Sequence, residues 1–227
     1  MKRIIFPLII GLLLVGQTQQ GWAQSKSFDI SDITAIEINI ACQLVIVQGQ
    51  TPNIEIVGDK RALASLETNV RNGKFTITSD RRNQQKEDVV VKIEVQNLEH
   101  LAIGGVVDMK SARELKFPNF KLSVSGVASG DLEITAKTLR LSCSGVCNLD
   151  IKGKTDEPKM NVSGVGNIDA VKLKARVADV QNSGVGRIVV MATETLDASV
   201  SGVGSISYAG EPQVRANVSG LGRVKRY

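Results

Sequence analysis

Six copies of one short unit dominate the second half of this chain: Ser125-Gly126-Val127, Ser144-Gly145-Val146, Ser163-Gly164-Val165, Ser183-Gly184-Val185, Ser201-Gly202-Val203 and Ser219-Gly220-Leu221. They follow one another at intervals of 19, 19, 20, 18 and 18 residues. A near-constant period of that size fits one coil of a β-solenoid, because helix-pair repeats run from about 33 residues upward. Leucine-rich repeats have a comparable period, but their leucine and Asn/Cys pattern is absent from this chain.

The residues around each unit say how a coil is built. One position before Ser stand Val124, Cys143, Val162, Asn182, Val200 and Val218; two positions earlier stand Leu122, Leu141, Met160, Val180, Ala198 and Ala216. That alternation marks a strand with one buried face. Beyond the unit, Leu132, Leu149, Ile168, Ile188, Ile206 and Val224 read as one inward column, and Ile134, Ile151, Ala170 and Val190 as the next. Polar residues such as Glu133, Asp150 and Asp169 lie between them. Each unit therefore reads as strand, Ser-Gly-Val corner, strand and return path.

Glycines bracket the Val or Leu, and two reasons make glycine fit a corner: φ > 0 without a Cβ penalty, and close approach of the next coil's backbone. The second unit carries Cys147 where later ones carry glycine. The first places Ala128 and Ser129 before Gly130, which reads as a small bulge. Ordering each residue costs on the order of 1 kcal/mol, which the few modest apolar side chains of one coil cannot offset. Coils must therefore stack at about 4.8 Å, where neighbours pair their backbones. The serines are expected to form a ladder of hydroxyls from coil to coil.

The first half lacks the unit but is also strand-rich. Segments 34–40, 44–47, 53–57, 74–78 and 89–95 are runs of β-branched residues. Asn72-Gly73 is a hairpin signal. A short helix is expected behind Asp59 as its cap, with Leu63 and Leu66 facing inward, and the polar stretch 80–88 reads as a loop. Ile103-Gly104-Gly105-Val106 resembles a degenerate seventh corner, 21 residues before Ser125. The fold class is thus all-β: a parallel β-solenoid (β-helix) with coils of roughly 18–20 residues, preceded by a mixed β region with one short helix.

At the start of the chain, Lys2 and Arg3 precede an apolar run, residues 4–15, and small residues follow at Gly21 and Ala23. This is the pattern of a secretory signal peptide cut after Ala23; the run is short of the roughly 20 apolar residues of a membrane helix. Removing those two basic residues lowers the formal charge from +5 to +3. With no basic block and few aromatics, no nucleic-acid partner is expected. Three cysteines are too few, and odd in number, for a disulfide framework.

Chemistry is hard to place on this sequence. Its one histidine, His100, lies at the end of a strand-like run with no ligand spacing around it, and reads as a surface residue. A serine repeated six times is structural rather than nucleophilic. Asp131, Asn148 and Asn167 read as one polar column after the corner, but Arg187, Ser205 and Arg223 break it, and the calcium-binding β-roll repeat is absent. Neither a catalytic residue, a metal site nor a cofactor is expected. Cys143 reads as a buried small hydrophobe and Cys42 as a core thiol. A disulfide from Cys143 to Cys147 across the corner is left open by the spacing.

The segment from Phe28 to Ile38, the run from Cys42 to Gly49, the signal peptide and the serial Ser-Gly-Val corners together resemble the head GIN domain family of putative auto-transporter adhesins, from about Phe28 to the end. The resemblance implies a β-solenoid, a cell-envelope location in Bacteroidetes and an adhesive or binding role. It brings no catalytic residues. On this reading, residues 1–23 are the signal peptide and 24–227 one head GIN-like domain, with an N-terminal β region over 28–103 and the solenoid over 104–227. No C-terminal membrane barrel is expected, so the protein is expected to depart from a true autotransporter.

The resulting expectation is an exported, non-enzymatic interaction module with no membrane anchor after signal cleavage, in the periplasm, at the outer membrane or on the surface. Its expected partner is an envelope protein or glycan; a carbohydrate-active β-helix enzyme is the alternative on fold analogy. Arg215, Arg223, Lys225 and Arg226 in the final coil read as charges guarding an open edge, or as a docking site.

Overall fold

The computed structural model describes residues 24–79 and 89–227; the expected signal peptide and the loop 80–88 lie outside the described residues. Its strands are β1 (Gln24–Asp29), β2 (Ala35–Ile38), β3 (Ala41–Gln48), β4 (Asn53–Gly58), β5 (Leu66–Arg71), β6 (Lys74–Ser79), β7 (Val90–Val95), β8 (His100–Ile103) and β9 (Val106–Ser111). They continue as β10 (Leu115–Val124), β11 (Val127–Cys143), β12 (Val146–Val162), β13 (Val165–Asn182), β14 (Val185–Val200), β15 (Val203–Ala209), β16 (Gln213–Val218) and β17 (Leu221–Arg226). One short helix, α1 (Lys60–Ser65), stands among them.

Each Ser-Gly pair interrupts the strand for two residues only. Between corners the chain runs as a single strand of 16 to 18 residues in β11 to β14, so the return path is itself strand. Such a strand must bend to close a coil, and the burial pattern shows where. In β11 the inward residues are Ala128, Leu132, Ile134 and Ala136, then Leu139, Leu141 and Cys143. The alternation skips at Lys137 and Thr138, and at Asp156 and Glu157 in β12, where two consecutive residues face outward. Neighbouring coils pair in parallel, Val127 with Val146, Val146 with Val165 and Val165 with Val185.

Two columns differ from the expected alignment. Ala128 pairs with Cys147, Gly130 with Leu149 and Leu132 with Ile151, so the first unit holds no bulge. Gly130 occupies the column that Leu149 and Ile168 fill, at φ 134°, where a Cβ would collide with the carbonyl oxygen of Met109. Leu132 stands one inward position later. The polar column after the corner is correspondingly Ser129, Asn148, Asn167 and Arg187, while Asp131 stacks with Asp150 and Asp169.

The same architecture continues into the first half. Gly104 and Gly105 form the seventh corner: the amides of Ser125 and Gly126 donate to the carbonyl of Ile103, and Val106 pairs with Val127. An eighth, which the sequence does not announce, lies at Asn39-Ile40, where β2 and β3 pair in parallel with β8 and β9. On their other edges β2 and β3 pair in parallel with β6 and β7. Chain order and stacking order thus part company, since the β2–β3 coil lies between β6–β7 and β8–β9.

Antiparallel strands close that end: β5 pairs with β6, β4 with β7 and β1 with β4. The Asn72-Gly73 turn makes the β5–β6 hairpin possible, because both residues take positive φ, 52° and 70°. Asp59 caps α1 by accepting from the amides of Arg61 and Ala62; Leu63 is buried, whereas Leu66 already belongs to β5 and is half-buried. One apolar core runs from Ile30 to Ile206.

Candidate interaction surface

The corner is where the repeated residues meet solvent. In each coil the carbonyl before Ser accepts from two amides of the next: Val124 O from Ser144 N at 2.9 Å and Gly145 N at 3.3 Å, Val162 O from Ser183 N at 2.8 Å and Gly184 N at 3.2 Å. The serine hydroxyl joins the same acceptor, with Ser144 Oγ 3.3 Å from Val124 O, Ser163 Oγ 3.4 Å from Cys143 O and Ser183 Oγ 3.3 Å from Val162 O. The hydroxyls therefore bond the coil beneath and form no chain with one another. Their distance along the column explains why: strands stack too far apart for a direct hydroxyl–hydroxyl bond, while the carbonyl beneath points up at each serine.

The corner glycines Gly126, Gly145, Gly164, Gly184, Gly202 and Gly220 are not at positive φ. A Cβ on any of them would collide with the backbone carbonyl of the glycine directly beneath, for Gly164 that of Gly145. Close approach, not left-handed backbone, requires glycine here.

Immediately after these glycines stands an unbroken apolar column, Val106, Val127, Val146, Val165, Val185, Val203 and Leu221, paired rung to rung. Every member is exposed, from 39% at Val127 to 83% at Leu221. A contiguous exposed apolar column of this kind is a candidate interaction surface. On one side lie the corner serines, and beyond them Ser123, Ser142, Asn161, Gln181 and Ser199; on the other lie Ser129, Asn148, Asn167, Arg187 and Ser205. Sequence reading named the corner residues but missed the exposure of the valines. The signal was present: counting back by twos from inward Leu149 puts Cys147 inward and Val146 outward.

Hollows interrupt the surface among the described residues. One of about 200 Å³ lies beside the corners and is lined by Ser123, Ser142, Asn161 and Glu37 among others. It is smaller than the roughly 300–1,000 Å³ of small-molecule pockets. The Oδ1 atom of Asn161 is buried there without a hydrogen-bond partner among the described residues. Another, about 430 Å³, lies along stacked Asp131, Asp150 and Asp169 with Lys152 and Lys172. Among the described residues no group of three His, Cys, Asp or Glu side chains is placed to hold a metal ion.

His100 is half-buried rather than fully on the surface, with Nε2 3.0 Å from Ser123 Oγ. Burial, and then the charges of Lys121 and Lys74, hold its pKa below the ordinary value. A neutral imidazole beside a hydroxyl is the start of a nucleophile–base pair, but no acid among the described residues orients it. Glu37, the acid on the adjoining strand, is engaged by Lys74 at 2.6 Å and Asn39 at 3.0 Å.

Cys143 and Cys147 form a disulfide across their corner, with Cα atoms 6.4 Å apart and both residues buried. Cys42 is free and half-buried against the core, where desolvation pushes its thiol up to about 12. In the final coil Arg215 reaches Asp197 at 3.8 Å and Arg226 reaches Glu211 at 3.2 Å. Arg223 and Lys225 are exposed and unpaired among the described residues. The four cations are thus split between ion pairs and open solvent.

Residues 32–212 match the sequence family described as "Putative auto-transporter adhesin, head GIN domain". The chain belongs to this family. A putative adhesin of known structure from Bacteroides fragilis is 25% identical to this head GIN protein, with a TM-score of 0.85 over 93% of this chain and 100% of that one. A putative lipid binding protein from Parabacteroides distasonis (21% identity, TM-score 0.71, 91% and 97% covered) and a putative adhesin from Parabacteroides merdae (20%, 0.65, 91% and 97%) share the fold. No curated protein matches the sequence. None of the helices among the described residues is long and apolar enough to cross a membrane.

Proposed function

We propose that this head GIN protein is an exported interaction module of the cell envelope, working without catalysis through the surface its corners present. The observation that carries this reading is the column of seven exposed apolar residues from Val106 to Leu221. Leaving such a strip in water weakens solubility and gains nothing for the core, so its repetition is best explained by contact with a partner. Membership of an adhesin family supports a binding role. The sequence start, which has the charge and length of a signal peptide, supports export. Nothing favours the carbohydrate-active alternative: among the described residues no acid orients the Ser123–His100 pair, and two lysines offset most of the charge of the three aspartates in the acidic hollow.

Cell fractionation tests the location, and retention of the purified full chain on intact envelopes tests the role. The mature protein is expected outside the cytoplasm. Replacing exposed Val127 and Val185 with Glu is expected to abolish retention while leaving the melting temperature nearly unchanged. A protein found in the cytoplasm, or envelope retention indifferent to those substitutions, would overturn the reading.

A further inference from the structure

We infer that the occupant of the valine column is a neutral, unbranched, extended polysaccharide lying along the stacking axis. The inference rests on the proposed binding role and adds to it the chemical class of the ligand. Size comes first. Seven rungs at about 4.8 Å make a strip about 29 Å long, and the columns on either side of the valines make it about 13 Å wide. The resulting footprint of roughly 400 Å² is about half of what each partner contributes to a stable protein–protein interface. A slender occupant suits it better than a globular one or a second copy of this chain.

Charge narrows the class. Beside Val127, Val146, Val165 and Val203 the flanking columns hold Ser125, Ser144, Ser163 and Ser201 on one side and Ser129, Asn148, Asn167 and Ser205 on the other, whereas Asp108, Arg187 and Arg223 stand beside Val106, Val185 and Leu221. These charges are of both signs and leave Val127 to Val165 as the longest uncharged run of the strip, so no column of one sign is offered to a polyanion or polycation. Neutral hydroxyls and amides both donate and accept, as the hydroxyl groups of a sugar require. The corner hydroxyls give their protons to carbonyls beneath, which leaves their lone pairs free to accept. Between these polar rows the valines offer an aliphatic ridge for the C–H face of a pyranose ring.

Repeat length separates a glycan from an extended peptide. A peptide strand presents every second side chain at about 6.7 Å, which falls out of step with coils about 4.8 Å apart within three rungs. A sugar ring is close to one coil in length, so successive sugars meet equivalent Ser-Val-Asn sets. No aromatic ring stands on the strip, so each sugar is held weakly and affinity must accumulate along the chain.

Calorimetry or NMR titration of the full chain with β-1,4-linked cello- and chito-oligosaccharides of increasing length tests the inference, with oligogalacturonates as charged counterparts. Affinity for the neutral series is expected to rise at least tenfold from disaccharide to hexasaccharide, with the charged series weaker. The Val146→Glu/Val165→Glu variant is expected to lose at least tenfold in affinity with unchanged circular dichroism and melting temperature, and Lys137→Glu, on another face, to bind as before. Absence of binding to both neutral series, affinity independent of length, or indifference to the double substitution would overturn it. If neutral glycans fail while envelope retention still depends on the valines, the interaction module stands and its occupant is a protein. If wild-type protein shows no retention on envelopes at all, the broader reading falls as well.

Discussion

A glycine that is required by its neighbour, not by its own dihedral angles, behaves differently under mutation from a turn glycine. At Gly164 the obstacle to a side chain is the backbone of Gly145, which is fixed by its own hydrogen bonds and cannot swing away. Gly164→Ala should therefore already lower the melting temperature, and Gly164→Val should cost more than the ~1 kcal/mol of an average substitution. A thermal scan showing Gly164→Val as stable as wild type would remove the stacked-corner account. Ser163 is a milder case: its 3.4 Å bond to Cys143 O is long and part-exposed, so Ser163→Ala should cost about 1 kcal/mol or less. His100 links stability to pH. Its pKa is depressed in the folded state, so the unfolded chain takes up the proton first as pH falls below the ordinary histidine value of 6.5. The stabilisation is complete above that pH and is lost as pH falls through the folded value. Melting temperatures measured from pH 7.5 to 5 should fall more for wild type than for His100→Gln; parallel curves would show that His100 does not contribute.

At the scale of the coil, much was legible in the sequence and the gaps have physical causes. The period, the inward columns on either side of the corner, the Asp59 cap and the Asn72-Gly73 hairpin follow from local rules of alternation and turn chemistry. What misled was the assumption that a glycine marks the same rung in every coil. Gly130 is not equivalent to Gly166, because Ala128 fills that rung and nothing in one sequence reveals which of two small residues does so. The out-of-order insertion of the β2–β3 coil was illegible for a deeper reason: strand pairing between distant segments leaves no local mark. The Cys143–Cys147 bridge replaces the Val and Gly of other coils. It closes a loop so short that the chain-entropy argument assigns it less than about 3 kcal/mol. Cys143→Val/Cys147→Gly, which restores the residues of the coil above, should therefore fold and lose at most a few degrees in melting temperature. Failure of that variant to fold would mean that the bridge, and not the stacking, holds its corner.

For the whole molecule the two ends of the stack pose opposite problems. At one, antiparallel β5, β4 and β1 and helix α1 cover the strand edges and the core. At the other, β16 and β17 pair along one edge only among the described residues, and the inward residues Ala216 and Val218 are exposed. An open parallel edge is a template for another chain, and charged side chains are the usual guard against such pairing. Arg223 and Lys225 project from β17 unpaired, while Arg226 is held by Glu211 and Arg215 by Asp197, so the net charge at this edge stays positive. Two copies approaching end to end would bring these cations together, and the repulsion is only partly screened at physiological salt. Replacing Arg223, Lys225 and Arg226 with Ser should then promote concentration-dependent association, seen as rising light scattering at 0.15 M salt, with high salt producing a weaker version of the same effect in wild type. A variant that stays monomeric but no longer binds anionic vesicles or acidic glycans would assign these cations to docking instead.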